Sequence, residues 1–554
     1  MAPAVPVAPA DQANGVALAW RARAKQEKPM RRRSFLGAGA TLAGATLARP
    51  ALVRAQSATT LKFIPYADLA LLDPAVSAFI TRNHVMMVFD TLFAMDAQGR
   101  AQPSMLEGFT TEPDGLTWTL TLRPGLKFHD GSPVLARDAV ASIQRWQVND
   151  SYGQALAAAT AELSAPSDTT LKFRLKYRFN HLPDALAHPT NTMAAIMPER
   201  LAKTPASSRI VEMVGSGPFR YLAGERVPGA RNHYARFEGY VPRQDAPSFA
   251  AGARIVNFDR VEWITTPDPA TQVAALRNGE VDWVEQPLMD LVPSLRATKG
   301  IKVEVVEDRG LTGFLRFNQL FPPFDNPAIR RVALHAVNQK DFMDAVVGGN
   351  APYQTCGLFP PTSDMYNDAG MASLSGKTSL DDLKRELAAS GYKGERVVFL
   401  SPTDVPRINA IASLGVDMLR KIGMNVDEIS TDWGTTVQRS VSRQPLDKGG
   451  WNMFAAFTGG IDTSTPGSHQ LMRGNGPNAY NGWPVSPRME TLRDTWLAAE
   501  EKPAQLALAR QMQEVLMDEV PYLPLGSYFQ PVAYKANLVD VPKGLVQFTG
   551  VKRG

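Results

Sequence analysis

Two helix–strand units in succession, between Leu380 and Ile429, limit what this chain can fold into more than any other stretch. Residues 380–390 read as a helix with Leu383 and Leu387 in step, closed by Gly391 and Gly394 at a C-cap. Residues 396–400 follow as a strand, 408–422 as a second helix stopped by Gly423, and 424–429 as a second strand. Strands joined through helices lie parallel with right-handed crossovers, so this part is expected to form an α/β lobe.

A different pattern rules earlier in the chain. In 115–146, Leu116, Trp118, Leu120 and Leu122 alternate with Thr117, Thr119 and Thr121, the mark of a half-buried strand. Arg123-Pro124-Gly125 breaks it, an extended run at 126–128 resumes, and His129-Asp130-Gly131-Ser132-Pro133 forms a turn. A helix is expected from about Ala136, with Asp138 in its first turn, where a carboxylate meets the positive end of the helix dipole. Residues 171–178 also alternate, and their four basic side chains share one face, read as the wet face of a strand rather than a phosphate site.

The word order of 115–146 resembles the signature block of the family 5 extracellular solute-binding proteins, the peptide- and nickel-binding group of ABC importers. Departures are small: Ala139 precedes Val140, and Leu135 stands where a capping Thr is usual. Other words similar to the family's follow in order: Leu72-Asp73-Pro74, Gly215-Ser216-Gly217-Pro218-Phe219, Asn232 with Tyr234, Gly279 to Asp282, and Pro521 to Leu525. The resemblance implies an α/β fold of the two-lobed periplasmic-binding-protein type (Venus-flytrap, class C-like), with a small domain inserted in lobe I. Lobe I is then 56–96, 215–310 and 511–554, the inserted domain 97–214, and lobe II 311–510. A helix is expected at 85–92, a crossing strand at 315–319, and a return to lobe I near 520–525.

Charge is read after the N-terminus is set aside. Residues 1–55 carry nine Lys/Arg and two Asp/Glu; removing them from 59 and 54 leaves 50 basic and 52 acidic residues, near −2. The basic character of the whole chain therefore sits in that segment and offers no nucleic-acid surface. Arg32-Arg33-Ser34-Phe35-Leu36 (preceded by Arg31) resembles a twin-arginine export signal, the weakly apolar 37–47 follows, and Val53-Arg54-Ala55 suits cleavage after Ala55. Met30 is an alternative start. The stretch is too short to span a membrane, since about 20 apolar residues are needed. Cys356 is the only cysteine and closes no internal disulfide. The expected location is the periplasm, as a soluble monomer.

For the ligand, the resemblance directs attention to the segment after the first strand, where Tyr66 and Asp68 are candidates; Asp68 is equally a loop or capping carboxylate. Phe317 and Asn318 lie on the crossing strand, where Asn318 either meets ligand or fixes the hinge. Trp433 follows the strand 424–429. The strand 451–457 leads into Phe457, Thr458, Gly460 and Asp462, and Trp483 lies further on. In peptide receptors of this family an Asp just after this strand pairs with the ligand's α-amino group; the matching position here is Gly460, with Asp462 two residues later. Either Asp462 takes the role, or the ligand brings no ammonium there. Aromatic walls with a few placed polar groups suit an enclosed small-molecule cleft.

Enzyme readings find no inventory. Cys356 lacks a nearby His, the seven His show no metal-ligand spacing, and Gly-x-Ser-x-Gly is absent. His469 is the one histidine near Asp462. The expectation is a receptor without catalytic residues, cofactor or metal, binding a small-molecule or peptide ligand and delivering it to an inner-membrane ABC permease after export by the twin-arginine machinery. Alternatives are a receptor for a sugar, opine or nickel chelate, a periplasmic hydrolase, or a chaperone-type protein.

Overall fold

The computed structural model describes residues 59–75, 79–349 and 351–554, so the export signal expected over 1–55 lies outside the described residues. Among the described residues no helix is long and apolar enough to cross a membrane.

Each lobe is built on one mixed sheet. The first has seven strands in the order Ile301–Glu304, Val532–Lys535, Trp283–Val284, Thr60–Ile64, Arg260–Ile264, Arg231–Arg236 and Phe219–Tyr221. Thr60–Ile64 runs parallel to both of its neighbours, and the helix Pro269–Asn278 supplies the crossover between them. That helix starts where Asp268 accepts from the Thr271 amide and ends at Gly279, whose φ of 78° suits a residue without Cβ. Phe63 packs against Trp263, Trp283 and Phe548 with ring centroids 5.5, 5.7 and 5.0 Å away. Trp263 and Trp283 are fully buried; each takes on the order of 200 Å² out of water, ~5 kcal/mol as an upper figure.

The second sheet has six strands: Tyr353–Gln354, Tyr522–Tyr528, Leu311–Phe317, Met453–Gly459, Arg396–Pro402 and Asn425–Thr431. The two helix–strand units stand as helices Leu380–Ala389 and Pro406–Lys421 with parallel strands, paired from Arg396↔Asn425 to Pro402↔Thr431. The chain crosses between the sheets at 305–310 and again at 529–531.

Two expectations are corrected. Residues 511–528 do not return to the first lobe: Tyr522–Tyr528 pairs antiparallel with Leu311–Phe317, and the crossing back follows it. The helix expected at 85–92 is Phe79–Val88. It starts earlier because Thr81, Arg82, Asn83 and His84 are polar yet buried, a turn that apolar periodicity passes over. It stops at Val88, whose carbonyl accepts from Gly217; a Cβ at Gly215 would lie 2.0 Å from the same oxygen.

A four-stranded antiparallel sheet, Leu106–Thr111, Thr117–Leu122, Thr170–Leu175 and Thr160–Ser164, carries Lys172 and Arg174 on its wet face. Helix Ala136–Trp146 begins where expected, and Asp138 accepts from the Leu135 and Glu199 amides, both at 2.8 Å. This part packs on the second lobe: Arg493 donates to the Pro466, Gly467 and Ser151 carbonyls, and His181 stacks on Trp496 at 5.2 Å.

Candidate ligand-binding cleft

The seam between the lobes is built from loops at strand ends, the usual place for ligands in α/β sheets. Tyr66 follows the strand Thr60–Ile64; its amide donates to Glu285 Oε2 at 2.8 Å, and Asn83 Nδ2 donates to Glu285 Oε1 at 2.8 Å. Glu285, at the end of Trp283–Val284, thus ties the Tyr66 loop to the helix Phe79–Val88. From that helix Arg82 reaches the seam fully buried, with its guanidinium carbon 4.3 Å from the Phe79 ring. Across the seam, Arg407 in the first turn of Pro406–Lys421 lies over two rings, 4.6 Å from Tyr66 and 5.6 Å from Phe457. Phe79 and Tyr66 meet edge to face at 5.5 Å. The result is a ladder of guanidinium and aromatic groups, Arg82, Phe79, Tyr66, Arg407 and Phe457, that runs from one lobe to the other. Each cation–π contact contributes ~0.5–2 kcal/mol, more where water is excluded.

A cavity of about 340 Å³ opens on this ladder, walled by Tyr66, Asp68 and Gln286 from the first lobe and by Asp404, Arg407 and Trp433 from the second. Trp433 also borders a tight cavity of about 60 Å³ with Phe457, Thr458 and Asp462, and a further one of about 520 Å³ with Trp483 and Tyr480. Trp433 is therefore the partition at which all three meet.

Asp462 is buried beside Arg82. Its Oδ2 accepts from the Gly459 amide at 3.1 Å and from Thr458 Oγ1 at 3.4 Å, Oδ1 accepts from the Asn191 amide at 3.1 Å, and Arg82 Nη1 stands 3.8 Å away. Arg82 Nη2 faces Glu307 Oε2 at 3.5 Å. Burial raises all three carboxyls, Asp462, Glu285 and Glu307; the charges of Asp462 and Glu285 add to the effect on Glu307, Arg82 opposes it, and the result is about 7. The Tyr66 hydroxyl is likewise pushed up to about 12 by burial.

The candidate residues from the sequence divide. Tyr66, Asp68, Trp433, Phe457, Thr458, Asp462 and Trp483 line these cavities. Phe317 instead packs in the second-lobe core, 4.5 Å from Phe324. Asn318 is fully buried, donates to the Trp451 carbonyl and accepts from the Leu320 amide, so it ties the end of the second-lobe strand Leu311–Phe317 to its neighbour and does not face the cleft. Gly460 serves close approach: a Cβ there would lie 2.0 Å from the Arg309 carbonyl oxygen on the crossing segment. His469 is a buried core residue whose Nε2 meets the Leu358 carbonyl at 2.8 Å, and burial lowers it to about 4. Cys356 is buried with its thiol pushed up to about 12.

Arg82, Glu285, Glu307 and Arg407 were missing from the sequence reading. Arg407 left a signal: a cation in the first turn of a helix opposes the dipole and is poorly explained by helix stability.

Residues 100–480 match the family model for bacterial extracellular solute-binding proteins, family 5 Middle. The probable peptide ABC transporter periplasmic-binding protein y4tO of Sinorhizobium fredii (strain NBRC 101917 / NGR234) is 35% identical over 517 residues, covering 92% of this chain and 97% of that protein. Among solved structures, the binding protein AgaA from A. tumefaciens R10, in complex with agropinic acid, superposes with a TM-score of 0.74 at 20% identity, covering 89% of this chain and 99% of its own. The binding protein DppA from Helicobacter pylori, in complex with the peptide STSA, gives 0.73 at 21% identity, covering 90% and 99%. The superpositions show that the fold is shared with these binding proteins, and by the family model over 100–480 and the 35% identical relative this chain belongs to family 5 of the bacterial extracellular solute-binding proteins.

Proposed function

We propose that this protein is the periplasmic receptor of an ABC importer, which captures a peptide or peptide-like solute at the seam and presents it to an inner-membrane permease. The observation that carries the reading is the cavity of about 340 Å³ walled by both lobes, with Tyr66 and Trp433 as aromatic walls and Arg407 as a polar anchor. A solute touching both walls favours the form in which they are together, which is the condition for closure on binding. Driving a receptor from 1:99 to 99:1 closed takes ~5.5 kcal/mol of differential affinity. The similarity to a protein named as a peptide ABC transporter periplasmic-binding protein supports the substrate class.

In this reading residues 1–55 direct export through the twin-arginine machinery and are removed near Ala55, and the mature receptor acts as a monomer. Residues 97–214 form the inserted domain, and no step of chemistry is performed on the solute. The test is a thermal-shift screen of the purified protein against amino acids, dipeptides, sugars and metal chelates, since a ligand of the native form raises its melting temperature. A shift confined to peptides and peptide-like acids supports the proposal; a shift confined to sugars or chelates overturns the substrate class.

A further inference from the structure

We infer that closure of the two lobes is linked to a proton held at Glu307 on the crossing segment, so that acid pH favours the closed receptor and rising pH opens it. The inference rests on the receptor reading above and adds a control on the same motion, through a residue outside the wall of the seam cavity.

Three parts of the molecule bring charge to one point. Arg82 comes from the first-lobe helix Phe79–Val88, Glu307 from the crossing at 305–310, and Asp462 from the loop after the second-lobe strand Met453–Gly459. They converge over the bare backbone of Gly459. A Cβ there would lie 3.0 Å from Asp462 Oδ2, 3.4 Å from Arg82 Nη1 and 3.5 Å from Glu307 Oε1. Parting the lobes draws Asp462 away from Arg82 and admits water. Bringing them together shuts both acids in with one guanidinium.

Hydrogen bonding decides which acid takes the proton. Asp462 accepts from two amides and the Thr458 hydroxyl, and Glu285 accepts from the Tyr66 amide and Asn83. Glu307 has a single long partner, Arg82 Nη2 at 3.5 Å, and its Oε1 is buried with none. Arg82 must serve Asp462 as well, at 3.8 Å. A carboxylate enclosed with so few donors is better held neutral. The surrounding charges agree: burial raises Glu307 to about 7, Arg82 opposes, and Asp462, Glu285 and Asp308 add to the rise. Arg309, next along the crossing, lies 4.0 Å from Asp308. On the side of the inserted domain, burial lowers His188 to about 4, so it brings no charge near neutral pH.

In the open form water reaches Glu307 and its carboxyl returns toward the ordinary 4.5. The closed form then binds the extra proton between those two values. Its gain is complete below ~4.5 and is lost as pH rises through 7. For these values the closed-to-open ratio falls about twentyfold from pH 5.5 to 7.5.

The experiment is single-molecule energy transfer on the purified, solute-free protein, with dyes on Ala270→Cys and Gln438→Cys. Both positions are exposed, on the helices Pro269–Asn278 and Trp433–Ser440 that wall the seam cavity from opposite lobes. Cys356 is buried and stays unlabelled. The expected result is a short and a long distance, with their ratio falling about twentyfold over pH 5.5 to 7.5. Adding Glu307→Gln is expected to hold the ratio at its acid value throughout. Adding Asp462→Asn is expected to move the fall to lower pH, since one of the charges that raises Glu307 is gone. Two distances in a ratio that ignores pH, or an equal fall with Glu307→Gln, overturns the inference and leaves the receptor reading in place. One fixed distance at every pH counts against both.

Discussion

The guanidinium carbon of Arg407, on the second lobe, lies 4.6 Å from the centre of the Tyr66 ring, on the first. Tyr66 in turn is fixed from behind by Glu285 through its amide, and Glu285 by Asn83. The interlobe contact is therefore backed on the first-lobe side by a loop and a helix that are themselves tied together.

Replacing Tyr66 by Leu keeps an apolar wall and removes the π face. Ligand affinity measured by titration is expected to fall about two- to thirtyfold, the equivalent of ~0.5–2 kcal/mol for one cation–π contact. An unchanged Kd separates the ladder from binding.

Asp462→Asn leaves Arg82 with Glu307 as its remaining near acid. Denaturant unfolding is expected to show a loss of up to ~3 kcal/mol, the low end for removing one partner of a buried pair, since the Arg82 contact is long. Selectivity between free and acetylated amines is expected to stay as it was; a selective loss of free-amine binding returns Asp462 to the role of ammonium partner.

Asn318→Leu tests a residue that reads as ligand-facing in the sequence and as a tie in the structure. Two buried hydrogen bonds are lost, and the Trp451 carbonyl and Leu320 amide lose their partner. Stability is expected to drop by ~2 kcal/mol with Kd unchanged. A weakened Kd at full stability contradicts that placement.

The pH dependence has a definite sign. Burial raises Glu307 from an ordinary 4.5 to about 7, with Asp462, Glu285 and Asp308 adding and Arg82 opposing. A carboxyl raised on folding binds more protons folded than unfolded between those values, so its contribution is greatest below ~4.5 and declines as pH rises toward 7. The melting temperature of the wild type, measured against Glu307→Gln, is expected to fall as pH goes from 5.5 to 7.5 and to level off above. A difference that does not change over this range rules out a raised Glu307.

How much of this could be read from the residues alone differs by element. The helix–strand units at 380–429 were legible because apolar spacing, caps and glycines agree there. The Phe79 to His84 turn was not, because its burial serves polar contacts rather than an apolar stripe. The strand Tyr522–Tyr528 was assigned to the wrong sheet because a fully buried strand carries no face pattern that says which sheet it joins. Tyr66, Trp433 and Phe457 were found as aromatics near strand ends, whereas Arg82 and Arg407 become meaningful through partners hundreds of residues away, such as Glu307 and Tyr66. Phe317 and Asn318 illustrate the converse: a place on the crossing strand does not by itself give a side chain a view of the cleft.

The central claim is that two lobes close on a solute held at the seam between them. Small-angle X-ray scattering of the purified protein, with and without the ligand that gives the largest thermal shift, tests it directly. The account predicts a smaller radius of gyration with the solute and recovery of the solute unaltered. A radius that stays the same with the solute bound, or a solute that is converted, contradicts it.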